Sequence, residues 1–172
     1  MADTNLILTV IGDDRPGLVG ELSAAIAAHQ GNWLESSMSH LAGQFAGIVR
    51  VAVPGAQAEA LKIALGQLAA LKVMAETAGE KSVSPGRRLK LALVGHDRIG
   101  IVREVSQVLA MHAVNVEKLE THTEAAPMSA EILFHAQAEL CAGAGLDARA
   151  LKAELEKLSD DLMVDITLGE TL

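Results

Sequence analysis

The chain has 172 residues, half of them hydrophobic and about a fifth charged, which excludes a disordered polymer and leaves room for one large domain or two small ones. A net charge of −8 argues against non-specific nucleic-acid binding, which needs clustered Lys and Arg; the one short basic run, Arg87-Arg88 with Lys90, reads as a solvated linker end. With one Trp, two Phe and no Tyr, the core must be built from Ala, Leu, Val and Ile.

Leu6 to Ile11 is a short apolar run, which predicts a buried strand. The loop Gly12 to Gly17 follows, GDDRPG. Leu18, Leu22, Ala25, Ile26 and His29 recur at helical spacing, so a helix is predicted to start near Pro16, a residue suited to a first turn, and to end at Gly31. Asn32 to Leu41 reads as a second strand, Ala42-Gly43-Gln44 as a tight turn, and Phe45 to Val53 as a third strand stopped by Pro54-Gly55. Leu61, Ala64, Leu65, Leu68 and Leu71 form a second helical stripe, and Val73 to Ala78 a fourth strand.

The chain then repeats itself. Shifting by 83 residues lays Leu6–Asn32 on Leu89–Asn115 without a gap, and 12 of the 27 pairs are identical, among them Gly12, Asp14, Arg15, Gly17 and Asn32. Leu89 to Gly95 predicts a strand; Ile101, Val105, Leu109 and His112 a helix; Asn115 to Thr123 and Met128 to Ala136 two strands. Leu151, Leu155, Leu158 and Leu162 predict a second helix, and Met163 to Leu168 a closing strand. The expected organisation is a domain over 1–80, a linker over 81–88 in the polar stretch GEKSVSPGRR, and a second domain over 89–172. Each copy reads β-α-β-β-α-β, an α+β ferredoxin-like unit with an antiparallel sheet and both helices on one face. Both parities of the strands are often apolar, as in Ile7 and Leu8 or Ile48 and Val49. The second face is therefore expected to be partly buried, or the sheets to join edge to edge.

Gly-Asp-Asp-Arg-Pro-Gly-Leu-Val, then a helix, then His-Gln-Gly-Asn, resembles the opening of an ACT domain, and the resemblance covers both halves. Two such domains in a chain of this length are similar to the glycine cleavage system transcriptional repressor family. The resemblance implies an amino-acid effector, glycine among the candidates, and a non-enzymatic regulator of transcription acting through a partner regulatory protein, with no cofactor. The other implied role is a regulatory subunit or accessory of an enzyme of amino-acid or one-carbon metabolism. A second copy of the chain is a candidate partner. The second half departs from the pattern: His96 stands for Asp13, Ile99 for Pro16 and Val114 for Gly31.

Two readings of the loop stand side by side. In the first it is a ligand site. Gly12 and Gly17 let backbone approach a ligand, the helix N-terminus at Leu18 and Val19 offers unpaired N–H groups to a carboxylate, Asp13 or Asp14 meets an ammonium, and Arg15 braces a carboxylate next to Pro16. In the family the ligand lies between this loop and the start of the second strand of a neighbouring copy, which implies Asn32 and Trp33 here. The second-copy counterparts are His96, Asp97, Arg98, Ile99, Gly100 and Ile101, with Asn115 and Val116. In the second reading Asp14 and Asp97 only cap their helices, and Arg15 and Arg98 only pair with them.

Other chemistry finds no support. Residues 29, 40, 96, 112, 122 and 135 are the six His, with no HxxxH or HxH spacing, so no metal site is expected; His29 and His112 suit helix C-termini. The glycines follow neither GxGxxG nor a P-loop, and no Ser/His/Asp or paired-carboxylate arrangement stands out. Cys141 is the sole cysteine, which points to a reduced, cytoplasmic setting. The N-terminus lacks a basic segment and the later apolar stretches are broken by Arg50, Lys62 and Lys72, so neither a signal peptide nor a membrane span is expected.

Overall fold

Alternating Leu6, Leu8 and Val10, all fully buried, make the central strand of the first half. In the computed structural model, which describes residues 3–79 and 86–168, β1 (Asp3–Asp13) pairs with β3 (Gln44–Pro54) on one side and β4 (Lys72–Thr77) on the other. β2 (Asn32–Leu41) pairs with β3, so the antiparallel order is β2-β3-β1-β4. Helices α1 (Leu18–Ala28) and α2 (Ala58–Gly66) send Leu22, Ile26, Leu61 and Leu65 onto the same apolar face. Each such leucine is worth about 1.5–3 kcal/mol of burial.

The second half repeats this with β5 (Arg87–His96), α3 (Ile101–Met111), β6 (Asn115–Ala125), β7 (Ile132–Ala142), α4 (Ala148–Glu156) and β8 (Met163–Leu168). Its sheet order is β6-β7-β5-β8, with a core of its own around Leu93, Leu140, Leu151 and Leu155. Both units are β-α-β-β-α-β. They divide as residues 1–82 and 83–172. Among the described residues no helix is long and apolar enough to cross a membrane.

Several boundaries differ from the sequence expectation. Arg87 and Arg88 are strand residues, paired with Ala142 and Cys141, rather than a linker end; residues 81–85 of the expected linker lie outside the described residues. The helices are shorter than their stripes: α2 stops at Gly66 and α4 at Glu156, so Leu68, Leu71, Leu158 and Leu162 pack from the loops that follow. β7 runs Ile132–Ala142, not from Met128. α1 does not end at Gly31: Gln30 takes the left-handed conformation (φ 59°), and the Gly31 and Gln30 amides bond back to the Ile26 and Ala27 carbonyls. Ala113 and Val114 repeat this Schellman closure, so it needs no glycine. Gly31 is small for another reason: a Cβ there would meet the Ile26 carbonyl oxygen at 2.9 Å.

On the face of the first sheet away from its helices, Ile11, Ile48 and Met74 are exposed and Ile7 is half-buried. The apolar second parity is real, and the unit leaves it open.

Candidate functional site

The turn after β1 is held mostly by its own chain. Gly12 pairs with Phe45 and Asp13 with Gln44 at the end of the sheet, and the Asp14 amide donates to the Gly43 carbonyl at 2.9 Å. Asp13 Oδ1 accepts from Gln44 Nε2 at 2.7 Å. The space of the missing Gly12 Cβ is filled by the Ala70 carbonyl oxygen, 2.3 Å from where that Cβ would stand, and by Leu71. The missing Gly12 side chain thus makes room for the α2–β4 loop.

The helix begins at Leu18, two residues beyond Pro16. Gly17 is the N-cap, in the left-handed conformation (φ 97°), and no side chain caps α1. Asp14 is therefore not a cap. Nor does Arg15 pair with Asp14: its guanidinium meets Glu21 Oε1 at 2.7 Å and the Pro16 carbonyl at 3.2 Å. Leu18 is buried in the core and Val19 is exposed on the first turn.

The second turn repeats this backbone with different chemistry. Gly100 (φ 93°) is the N-cap of α3, again with no side chain capping it, and the Asp97 amide bonds to the Ile132 carbonyl at 2.9 Å, so Asp97 is not a cap either. Arg98 grips both oxygens of Glu104 at 3.0 and 2.5 Å. Ile99, where the first copy has Pro16, is fully exposed, and Ile101 is buried. His96 stands between two carboxylates: Nε2 is 3.0 Å from Glu131 and Nδ1 is 2.8 Å from Asp161. The hydrogen bond and charge of Glu131, with Asp161 beside it, raise the His96 pKa. Bonds from Ser159 and from the His96 amide hold the Asp161 carboxyl far below its usual range.

Asn32 and Trp33 do not join the turn of their own unit. Asn32 pairs with Ala52, which in turn faces Asn5, while the turn leaves β1 at Asp13. About eight residues of strand, roughly 26 Å, separate the two ends. Trp33 packs against the core. Asn115 and Val116 are placed the same way, opposite Cys141 and Leu140.

A cleft of about 300 Å³ does open beside the first turn. It is lined by Ile11, Gly12 and Asp13 from β1, Gln44 from β3, and Ala69 to Lys72. Only Gly12 and Asp13 of these were legible as site residues; Gln44 and Lys72 arrive from strands β3 and β4 by sheet pairing. A second cleft of similar volume lies on the outer face of the second sheet among Lys90, Lys118, Glu120, Glu139 and Asp165. Lys90 is six strand residues, about 20 Å, from the turn at His96.

Three of the potential metal ligands, scattered in sequence, are gathered in space. His122, Glu124 and His135 bring one ligand atom each within 4.8 Å of one another. HxH spacing could not find them, since two strands contribute.

Residues 4–75 match the family model of the ACT domain. An unknown protein from Galdieria sulphuraria is 28% identical, with 98% of this chain and 100% of that one covered and a TM-score of 0.87. A protein provisionally assigned as a glycine cleavage system transcriptional repressor shares the fold at 16% identity, 98% and 100% coverage and a TM-score of 0.68. No curated protein matches the sequence.

Proposed function

We propose, from the premise that the first unit of this chain is an ACT domain, that the protein is a non-enzymatic amino-acid sensor. It regulates by contact with a partner protein, in the manner of a glycine cleavage repressor, and does not grip DNA itself. The observation that carries the reading is the cleft beside the first turn. Its lining holds one carboxylate, Asp13, and one ammonium, Lys72. Those are the two charges that a zwitterion needs. A volume of about 300 Å³ lies at the small end of ligand pockets, which suits a small amino acid, glycine first. Asp13 keeps Oδ2 for an ammonium after Oδ1 takes the Gln44 amide.

Calorimetry of the full chain against the common amino acids is the test. One or more should bind. Asp13→Asn and Lys72→Met should each weaken that binding about tenfold or more, the scale of a lost charged hydrogen bond. Failure of every amino acid to bind at millimolar concentration, or unchanged affinity in both variants, overturns the reading. The acidic charge of −8 supports the absence of direct DNA contact; salt-dependent micromolar binding of the chain alone to duplex DNA would refute that part.

A further inference from the structure

We propose that His122, Glu124 and His135, on the outer face of the second sheet, form a binding site for a borderline divalent cation, with zinc as the best match. Its framework comes from strand geometry. His122 and Glu124 are two residues apart on β6 and so share a face. His135 is the direct cross-strand partner of His122 on β7. Their rings stack, centroids 4.7 Å apart and 7° from parallel. Glu124 bridges the pair, with Oε1 3.0 Å from His135 Nε2 and Oε2 4.0 Å from His122 Nε2.

A second observation points to a ligand. His135 Nε2 is shut off from solvent and, among the described residues, makes no hydrogen bond, although Glu124 Oε1 lies 3.0 Å away. A ring nitrogen left so is unfavourable until something coordinates it. Zinc bound tetrahedrally at about 2.0–2.2 Å sets its ligand atoms about 3.3 Å apart. Here they lie within 4.8 Å. Binding requires the stacked rings to turn toward a shared point, a movement of side-chain torsions on two residues that are direct cross-strand partners. Two imidazoles and a carboxylate suit zinc better than calcium or magnesium, which prefer oxygen. Three protein ligands leave a fourth position for water.

The fold does not require these residues. At the matching places in the first sheet stand Ser39, Leu41 and Ala46, with Ser39 paired to Ala46 as His122 is to His135. The same strand pairing forms there without one ligating side chain.

The test uses the full chain, stripped with a chelator and titrated with zinc in calorimetry, and with cobalt followed by visible absorption. One zinc per chain is expected in the micromolar range. The cobalt form should show tetrahedral d–d bands without the thiolate charge-transfer band that Cys141 would give. His135→Ala and His122→Ala, both folded by circular dichroism, should each weaken zinc more than about tenfold, and His40→Ala should not. No saturable binding to the wild type, a thiolate band, or equal affinity in both variants would overturn the proposal.

Discussion

Arg15 Nη2 lies 2.7 Å from Glu21 Oε1, so the guanidinium at the entrance to α1 is already engaged by its own helix. Arg98 and Glu104 repeat the pairing in the second unit with two contacts. A ligand carboxylate at either helix N-terminus has to compete with that glutamate. Arg15 does not line the cleft of Asp13 and Lys72, so Glu21→Gln should leave amino-acid binding there within about twofold in calorimetry. Both partners are largely exposed, so its effect on stability should stay below about 1 kcal/mol by urea denaturation. Binding tightened several-fold would instead place the ligand carboxylate on Arg15 at the helix N-terminus, outside that cleft.

Two glycines in the same turn should fail differently. A Cβ on Gly12 would stand 2.3 Å from the Ala70 carbonyl oxygen, so Gly12→Ala must displace the α2–β4 loop and should cost about 1–3 kcal/mol. Around Gly17 the space is open, its nearest neighbour being Arg15 Nη1 at 3.8 Å. Only its φ of 97° resists a side chain, and Gly17→Ala should cost roughly 1 kcal/mol. Asp14→Ala, which removes no cap, should change stability by less than about 0.5 kcal/mol. Urea midpoints for the three variants rank them.

The His96 cluster makes the second unit sensitive to pH. A histidine whose pKa is raised in the fold adds stability that is complete below its ordinary value of 6.5 and is lost as pH rises through the raised value. Glu131 and Asp161 are lowered, so their contribution is present above the ordinary carboxylate range and is lost as pH falls through their folded values. Thermal melting should show greater stability at about pH 5.5 than at about pH 8, and His96→Asn should flatten that difference. A slope that survives the substitution would assign it to other groups.

Strands β2 and β6 differ in what they lay over the core. Trp33 and Met38 pack onto the first core; at the same register stand Val116 and Thr121, which line an apolar slot of about 30 Å³ with Val105, Leu109 and Phe134. Thr121→Met should fill it and raise stability by about 0.5–1 kcal/mol. Trp33→Val should open the equivalent slot and cost about 2–4 kcal/mol. A destabilised Thr121→Met, measured by urea denaturation, would show that the slot cannot take the extra atoms.

The sequence by itself determined the repeat, the β-α-β-β-α-β order in each half and most of the core, because these rest on short-range periodicity. Leu6, Leu8 and Val10 declare a strand face, and Leu18, Leu22 and Ile26 a helix stripe, whatever packs on them. Only the tertiary structure decided what each loop residue does. The space left by the missing Gly12 side chain is taken by the Ala70 carbonyl, and the cleft opens beside it. Asp14 looked like a cap until Gly17 took that place in a left-handed conformation. Asn32 was separated from its own turn by the length of a strand, and Lys72 was brought beside Asp13 from the far end of the unit. His122 and His135, thirteen positions apart, became neighbours through the register of β6 on β7. Helix stripes and strand alternation are properties of neighbouring residues, but caps, clefts and ligand sets are made by distant ones, and sheet register selects among them.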